Sequence, residues 1–332
     1  SNAKLTPTNI AIDLMKSNSN NSTATPMLDY TISSIFGYNN LAGKTDNPGC
    51  ANGAGEDARF DIPFNVVPYL NGSVLVADYE AHTIKEIKAD GTVWTFIGSP
   101  YNADRRWYDQ PTDVSEVRTD HPNALTSDLN TGDVYWASHD YIYMYIAATK
   151  KVVSIARANN LDISRVGGLH FVNNTLYFSD MFRHAIYKLI VDGSGNVSKQ
   201  VVAGRENDNG WIQTSDENDK KNITGEAAFT FPTRIFMDTA TNKMYVTNYY
   251  SIDQEYWYHS SNIHVVDFNT GKISNLPNIK DFLHAKAGGG NADVPQFRAI
   301  DKDSNGNLYI AVSNYDIVVK VSFLDDGTPY VA

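Results

Sequence analysis

The sequence predicts an all-β fold assembled from repeated sheets of four short strands. The clearest unit lies between Arg59 and Gly98, where four runs of strand-forming residues are separated by turn residues such as Asn71-Gly72 and Asp90-Gly91. Asn-Gly and Asp-Gly supply the positive φ angles that tight hairpins need. Because a four-stranded meander cannot bury both of its faces alone, such a unit is expected to stack against copies of itself.

Four further copies of this unit follow along the chain. They cover Pro122–Ile155, Gly168–Gly204, Phe231–Ser274 and Arg298–Val321. The second strands of the second and third copies end 42 residues apart, near Ser138 and Asp180, and this length is enough for one unit. The wider spacing of the other copies therefore predicts long insertions, which on a rigid scaffold often carry function.

One strand without a unit of its own precedes the first copy, and the last copy lacks a strand. Tyr30–Gly37 matches the fourth strand of the first unit, Val93–Gly98, whereas the fifth copy shows three clear strands. We expect the leading strand to join the last sheet, because closing a ring removes exposed sheet edges. The sequence thus predicts one β-propeller domain over residues 28–332, with five visible repeats and five or six blades. Residues 1–27 are expected to be a tag remnant and a flexible lead-in.

Charge and cysteine content disfavour several classes of protein. The 332 residues include 27 Lys and Arg against 38 Asp and Glu, which gives a formal net charge of -11. A surface this acidic repels phosphate backbones, so nucleic acid is not expected as a partner. The single cysteine, Cys50, allows no internal disulfide, and no apolar run approaches the roughly 20 residues of a membrane helix.

The repeat resembles that of the NHL-repeat β-propellers over roughly residues 28 to 330. The resemblance rests on Phe60 and Pro63, Val76-Ala77-Asp78, Thr83–Ile87, Asp90-Gly91 and Ile97-Gly98, with weaker echoes in the other four copies. The glycine-rich stretch before Phe60 is similar to connectors in bacterial secreted proteins that join an immunoglobulin-like domain to such a propeller. The resemblance implies export to the periplasm or the cell surface, and a usual count of six blades against the five copies found here.

The links between second and third strands are long and rich in aromatic and histidine residues. Rings with polar tips in exposed loops suit sugar stacking and protein contacts. The alternative is that each ring packs its link onto the sheets below. The candidate ligand-binding residues in these links are Tyr79, His82, His139, Tyr141, His184, Tyr249, Tyr256, Trp257 and Tyr258.

Two arginines form a second candidate site. Alignment of the copies on their second strands places Asn65, Ala124, Gly168, Arg234 and Arg298 at equivalent positions, near the start of the innermost strands that line the axis of a propeller. Arg234 and Arg298 together would make a fork for a carboxylate or a phosphate. The alternative is that each arginine pairs with a carboxylate of a neighbouring blade.

Three function hypotheses remain open from the sequence, which shows none of the common hydrolase or phosphate-binding motifs. We predict no catalytic residue, no metal ligand and no cofactor. The first hypothesis is an exported, monomeric binding module that holds a glycan or a protein partner on its long-loop face. The second is a hydrolase or lyase that acts on an anionic small molecule at Arg234 and Arg298, with His139, His184 or His259 as acid or base. The third is a scaffold for protein assembly.

Overall fold

The computed structural model describes residues 49–53, 57–210, 212, 220–248, 263–276, 297–302, 305–312, 317–323 and 329–331. The chain divides into two compact units. The first unit comprises Ser1–Val134 and Tyr145–Val153, and the second comprises Tyr135–Met144 and Ser154–Ala332.

The described strands form five antiparallel sheets, which confirms the predicted all-β propeller and gives five blades, the lower of the two expected counts. The first blade has the order β1-β2-β3-β4 and consists of β1 (Pro63–Pro68), β2 (Val74–Asp78), β3 (Thr83–Ile87) and β4 (Val93–Gly98). The second blade consists of β5 (Thr112–Asp113), β6 (Ala124–Ser127), β7 (Val134–Ser138), β8 (Tyr141–Ile146) and β9 (Lys151–Ala156). Its order is β5-β9-β8-β7-β6, so a short extra strand lies at its outer edge.

The remaining three blades repeat the same meander. The third consists of β10 (Val166–Val172), β11 (Thr175–Asp180), β12 (Ala185–Val191) and β13 (Val197–Gly204). The fourth, in the order β14-β18-β17-β16-β15, consists of β14 (Lys221–Asn222), β15 (Pro232–Asp238), β16 (Lys243–Asn248), β17 (Ile263–Asp267) and β18 (Lys272–Asn275). The fifth consists of β19 (Phe297–Lys302), β20 (Leu308–Val312), β21 (Ile317–Phe323) and β22 (Pro329–Val331).

Helices are few within the described ranges. They are a one-turn α-helix, α1 (Ala158–Leu161), and 3-10 turns at Leu70–Gly72 and Val114–Glu116. None of the helices in these ranges has the length and apolar character needed to span a membrane.

The second strand of a blade is its most deeply buried element. All five residues of β7 are buried, and β16 is buried at every position after Lys243, so both faces of these strands are covered. In the first unit, Val76, Ile87 and Val93 pack with Ala58 and Phe60. Because both faces of these strands are buried, their sequences are continuous apolar runs rather than alternating apolar and polar residues.

The predicted hairpin turns have the backbone that their residues favour. Asn71 and Gly72 have φ angles of 56° and 75°, and Asn173 and Asn174 have φ angles of 49° and 58°. Two successive positive angles match the twist of the flanking antiparallel strands.

Four of the innermost strands, β1, β10, β15 and β19, have a register irregularity near their first residue. It falls between Pro63 and Asn65 in β1, between Val166 and Gly168 in β10, and between Phe297 and Ala299 in β19. In β15 the shift is longer and runs from Pro232 to Ile235. An extra residue in one strand re-aims the side chains around it, so these irregularities decide which inner residues are equivalent.

The last blade differs from the expectation that the leading strand would complete it. Its fourth strand is β22, which comes from the C-terminal segment and pairs antiparallel with β21 through Val321 and Val331. The sequence contains the signal for this hairpin, because Asp326-Gly327 stands before β22 as Asp90-Gly91 stands before β4. Tyr30–Gly37 lies outside the described residues.

Candidate functional site

Three histidines of the predicted set adopt the same unusual backbone. His82, His139 and His184 each lie in the link between the second and third strands of a blade, and each has a φ of 56°. This left-handed conformation turns the link toward the third strand, and histidine is enriched there relative to most other residues with a side chain. The repeated angle gives these histidines a shared structural role.

In the first unit, His82 holds the segment that leads into β6. Its Nδ1 accepts a hydrogen bond from the backbone N–H of His121 at 3.0 Å, and the two rings meet edge to face with centroids 4.2 Å apart. Burial, and after it the neighbouring His121, lowers the pKa of His82, so the ring stays neutral as an acceptor must. We call Asp78–His82 together with Asp120–His121 the first connector.

His121 lies between two carboxylates of the first connector. Its Nδ1 is 2.5 Å from Asp120 Oδ1, and its Nε2 is 3.6 Å from Glu80 Oε2. Because a carboxylate oxygen only accepts, the short distance indicates that Nδ1–H donates to Asp120. One ligand-type atom from each of His82, Asp120 and His121 lies within 4.8 Å of the others, a spacing compatible with a metal ion.

Three rings lie in a row beside these charged groups, with Phe64 stacked on Tyr79 and the His121 ring tilted by 55° against Tyr79. The Tyr79 ring has its centroid 5.0 Å from that of Phe64 and 4.6 Å from that of His121. Phe64 is 42% exposed, and the other two side chains are half-buried, so part of the stack faces solvent. We call Phe64, Tyr79 and His121 the ring row.

Backbone and side-chain hydrogen bonds fix acidic groups next to the ring row. The N–H groups of Tyr79 and Glu80 donate to the carbonyl oxygens of Ile62 and Asp61 at 3.1 and 3.0 Å. The Tyr101 hydroxyl donates to Asp61 Oδ2 at 3.0 Å. Burial and this hydrogen bond raise the pKa of Tyr101 to about 12, so the hydroxyl keeps its proton near neutral pH.

The second unit contains an equivalent arrangement built from other side chains. His184 Nδ1 accepts a hydrogen bond from the backbone N–H of Phe231 at 3.2 Å, with ring centroids 4.9 Å apart. Phe182, which is 52% exposed, meets Phe231 edge to face at 5.8 Å. We call Asp180–His184 together with Thr230–Phe231 the second connector. Phe231 corresponds to His121, since each precedes a proline and the two φ angles are 47° and 45°.

The link of the second blade uses its histidine differently. His139 is half-buried, its Nδ1 lies 3.2 Å from Arg165 Nη1, and its carbonyl accepts the Val166 N–H at 2.8 Å. The Tyr141 ring stacks on Tyr143 with centroids 5.8 Å apart. These two predicted site residues therefore make contacts within the second unit that hold its link in place.

The structure places the two predicted arginines near each other but not in equivalent positions. Ala299, not Arg298, pairs with the second strand as Asn65 and Gly168 do, so the alignment of Arg298 with Arg234 was wrong by one residue. Arg298 instead occupies the irregularity of β19, where the inner strand has an extra residue.

Arg234 is nearly inaccessible, with 8% of its surface exposed. Its Nη1 donates to the Gly167 carbonyl at 2.6 Å, and its backbone N–H donates to Thr247 Oγ1 at 3.1 Å. Burial, and after it the charge of Arg298, lowers the pKa of Arg234 to about 10, so the guanidinium remains charged. Gly168 permits this close approach, because a Cβ there would lie 2.2 Å from the Thr233 carbonyl oxygen.

Five predicted candidates lie outside the described residues: Tyr249, Tyr256, Trp257, Tyr258 and His259. Sequence reasoning, in turn, missed Phe64, Asp120 and His121. Phe64 belongs to an inner strand rather than to a link, and Asp120-His121 belongs to a segment between blades. The available signal was the pair of prolines at 122 and 232, which aligns His121 with Phe231.

Comparisons with known proteins report likeness in fold alone. No family model matches the chain, and no curated protein matches it. The chain is similar to an auxiliary nutrient binding protein from Bacteroides ovatus, with 14% identity, a TM-score of 0.47, and 90% of this chain and 76% of that chain covered. It is also similar to virginiamycin B lyase from Staphylococcus aureus, with 14% identity, a TM-score of 0.45, and 81% of this chain and 69% of that chain covered. A third similar structure is that of a nidogen/laminin complex, with 12% identity, a TM-score of 0.47, and 78% of this chain and 73% of that chain covered.

Proposed function

We propose that the protein is an exported, NHL-like binding propeller whose ring row binds a glycan. The observation that carries the proposal is the partly exposed row of the Phe64, Tyr79 and His121 rings, with a Glu80 carboxylate oxygen 3.6 Å from His121 Nε2. The apolar face of a sugar ring packs against aromatic rings, and carboxylate oxygens accept hydrogen bonds from its hydroxyl groups. The ring row offers both kinds of contact within one stretch of surface.

The chemistry of the ring row favours a neutral, hydroxyl-rich ligand. Glu80 and Asp120 both contact His121 and place negative charge beside the rings, which repels an anionic ligand. Pre-fixed rings also lose little conformational entropy on binding, because the stack and the connector hydrogen bonds already hold them. Tyr256, Trp257 and Tyr258 stay predicted contributors to ligand binding. A protein partner is the other outcome that the test below distinguishes.

A glycan array followed by isothermal titration calorimetry with the sugar that scores highest tests this function. We expect Phe64→Ala and Tyr79→Ala each to weaken binding at least tenfold, because each removes one stacking surface. Trp94→Ala is the matched control, since Trp94 is 40% exposed on β4 and belongs to a different surface of the same blade. Wild-type affinity in both ring-row variants would remove the site assignment. Absence of any glycan signal, with a partner recovered by crosslinking through the ring row, would replace the glycan by a protein.

One observation favours a second function, the binding of an anionic small molecule in the second unit. The charges of Arg234 and Arg298 are close enough to lower the pKa of Arg234, and two like charges beside each other are stabilised by an anion. A carboxylate or a phosphate suits this position, and a hydrolase or lyase acting on such a molecule is the alternative to a pure binding module.

Anion binding is tested by the melting temperature in increasing inorganic phosphate or citrate, compared with chloride at equal ionic strength. We expect a rise in melting temperature that saturates with the anion and that Arg298→Ala abolishes. Arg118→Ala, which removes a guanidinium bound to the Val117 carbonyl in the first unit, is the control. An equal rise in chloride, or in the Arg298 variant, would contradict the proposal.

A further inference from the structure

A comparison of the first and second connectors shows that the side chains of Glu80, Asp120 and His121 have no role in the backbone arrangement that the two connectors share. In both, a histidine with a φ of 56° accepts the N–H of a residue that precedes a proline. The second connector completes this arrangement with Phe182, Thr230 and Phe231, whereas the first has Glu80, Asp120 and His121 at the corresponding places. The backbone arrangement therefore does not require the carboxylates or the second imidazole.

The polar groups of the first connector are arranged as metal-site groups are. We propose that His121 Nε2 and Glu80 form a binding site for a divalent metal ion of the zinc class, with Asp120 and His82 as positioning residues. A zinc ion bound tetrahedrally by one nitrogen and one carboxylate oxygen holds the two atoms about 3.4 Å apart. The observed separation of His121 Nε2 and Glu80 Oε2 is 3.6 Å.

Asp120 supplies the outer contact that metal-bound histidines typically have. Its Oδ1 accepts the Nδ1–H of His121 at 2.5 Å, and in a neutral ring with its proton on Nδ1 the lone pair lies on Nε2, the nitrogen that would bind the ion. The carboxylate–histidine–metal arrangement thus needs no change of tautomer at His121.

His82 belongs to the site as a positioning residue rather than a ligand. One of its ring nitrogens lies within 4.8 Å of ligand-type atoms of Asp120 and His121, but its Nδ1 already accepts the N–H of His121 at 3.0 Å. Coordination through Nδ1 would break a hydrogen bond that the second connector also makes. His82 therefore fixes the backbone of His121, Asp120 fixes its ring, and water completes the coordination of the ion.

Titration of the full chain with zinc chloride by calorimetry, after treatment with a chelator, tests the site without any glycan. We expect one saturable event that is lost in His121→Phe and weakened about 10- to 100-fold in Asp120→Thr, the loss typical of removing an outer-shell partner. The two variants introduce the residue types of Phe231 and Thr230, which occupy the corresponding positions of the second connector. The same backbone arrangement therefore already exists in this chain with those side chains. Cobalt(II) in place of zinc should give visible absorption bands that His121→Phe abolishes.

His139→Phe serves as the control, because it removes a half-buried histidine of another link. Melting curves without metal verify that each variant is folded. Unchanged zinc affinity in His121→Phe and Glu80→Gln, or no saturable binding to the wild type at millimolar zinc, would overturn the proposal. Since zinc is titrated alone, failure here leaves the glycan test unaffected, and failure of the glycan test leaves this site standing.

Discussion

The first and second connectors solve the same structural problem with different side chains. Each must turn a link into the third strand of a blade and hold the segment that enters a later blade. Both do so with a left-handed histidine whose Nδ1 accepts a backbone N–H. Beyond that hydrogen bond they differ, because the second connector packs two phenylalanine rings and the first places an imidazole between two carboxylates.

This difference distinguishes the residues that the fold requires in both connectors from those that differ between the two. The shared histidines, and the glycines that end β4 and β13, stand at corresponding positions in both units and explain the backbone path. Phe182 and Phe231 bury apolar area, which stabilises a connector without any further partner. Glu80 and His121 place polar atoms at the corresponding positions, and the shared backbone arrangement does not require them, so their presence points to a role in binding rather than in folding.

The largest expected effect concerns the two glycines that the connectors share. Gly98 and Gly204 have φ angles of +94° and +88°, and an added Cβ would lie 2.6 Å from the His82 carbonyl oxygen or 2.9 Å from that of His184. We expect Gly98→Ala and Gly204→Ala each to lower the free energy of unfolding by about 3 kcal/mol, from backbone strain and crowding together. Urea denaturation followed by tryptophan fluorescence measures it. Gly193→Ala, where a Cβ meets open space, is the control, and a loss there of similar size would contradict the argument.

The next effect tests whether the histidine hydrogen bond supports both connectors. His184 is buried, so His184→Ala leaves the Phe231 N–H without its acceptor and opens a cavity, at a cost of about 2 kcal/mol. His184→Asn should recover part of that loss, because the amide oxygen accepts a hydrogen bond and asparagine tolerates a left-handed backbone. His82→Ala should cost less, since His82 is half-buried. Equal denaturation midpoints for the Ala and Asn variants would show that the hydrogen bond contributes nothing.

The repeat pattern in the sequence predicted most of the fold, but it failed for one strand and for the alignment of one residue. Turn dipeptides and apolar runs located all five blades, because hairpin geometry depends on local residues. The fourth strand of the last blade was missed because β22 has only three residues. The turn dipeptide Asp326-Gly327 before it was the available signal. Arg298 was misaligned because the hairpin of the inner and second strands differs in length between blades: the paired residues Pro232 and Asn248 are 16 positions apart, and the paired residues Phe297 and Val312 are 15 apart. No residue type marks that difference.

The candidate site was harder to predict because its parts come from distant segments. Tyr79 and His82 were found from their link, whereas Phe64 comes from β1 and His121 from a segment between blades. Contacts across such separations depend on how the blades pack, and the sequence near each residue does not encode it. The exposed ring of Phe64 was missed for a related reason, since it occupies the irregularity of β1.

A third effect follows from a buried imidazole behind the second connector. His264 is 1% exposed, its ring meets Phe229 edge to face at 5.3 Å, and burial lowers its pKa to about 4. Below about pH 6.5 the unfolded chain binds a proton at this residue that the folded chain does not, so stability present above pH 6.5 is lost as the pH falls toward 4. We expect a loss of about 1.4 kcal/mol for each pH unit in that window.

Denaturant midpoints at pH 7, 6 and 5 measure this acid sensitivity, and His264→Leu should reduce its slope. In the first connector, Thr119 occupies the place of Phe229 beside the glycine, so the contact between a buried imidazole and Phe229 belongs to the second unit alone among the two connectors. An unchanged slope in His264→Leu would assign the loss to other groups.

The smallest effect decides whether the polar pair of the first connector belongs to folding after all. Glu80 and His121 are partly exposed and 3.6 Å apart, so a double-mutant cycle with Glu80→Gln and His121→Phe in the presence of a chelator should give a coupling of about 0.2–1 kcal/mol. The cycle Phe182→Ala with Phe231→Ala should give about 0.5–1.5 kcal/mol, the usual value for edge-to-face rings. If the polar pair couples more strongly than the aromatic pair without metal, stability alone accounts for Glu80 and His121. If it couples more weakly and gains only when zinc is added, the pair contributes through the ion that it binds.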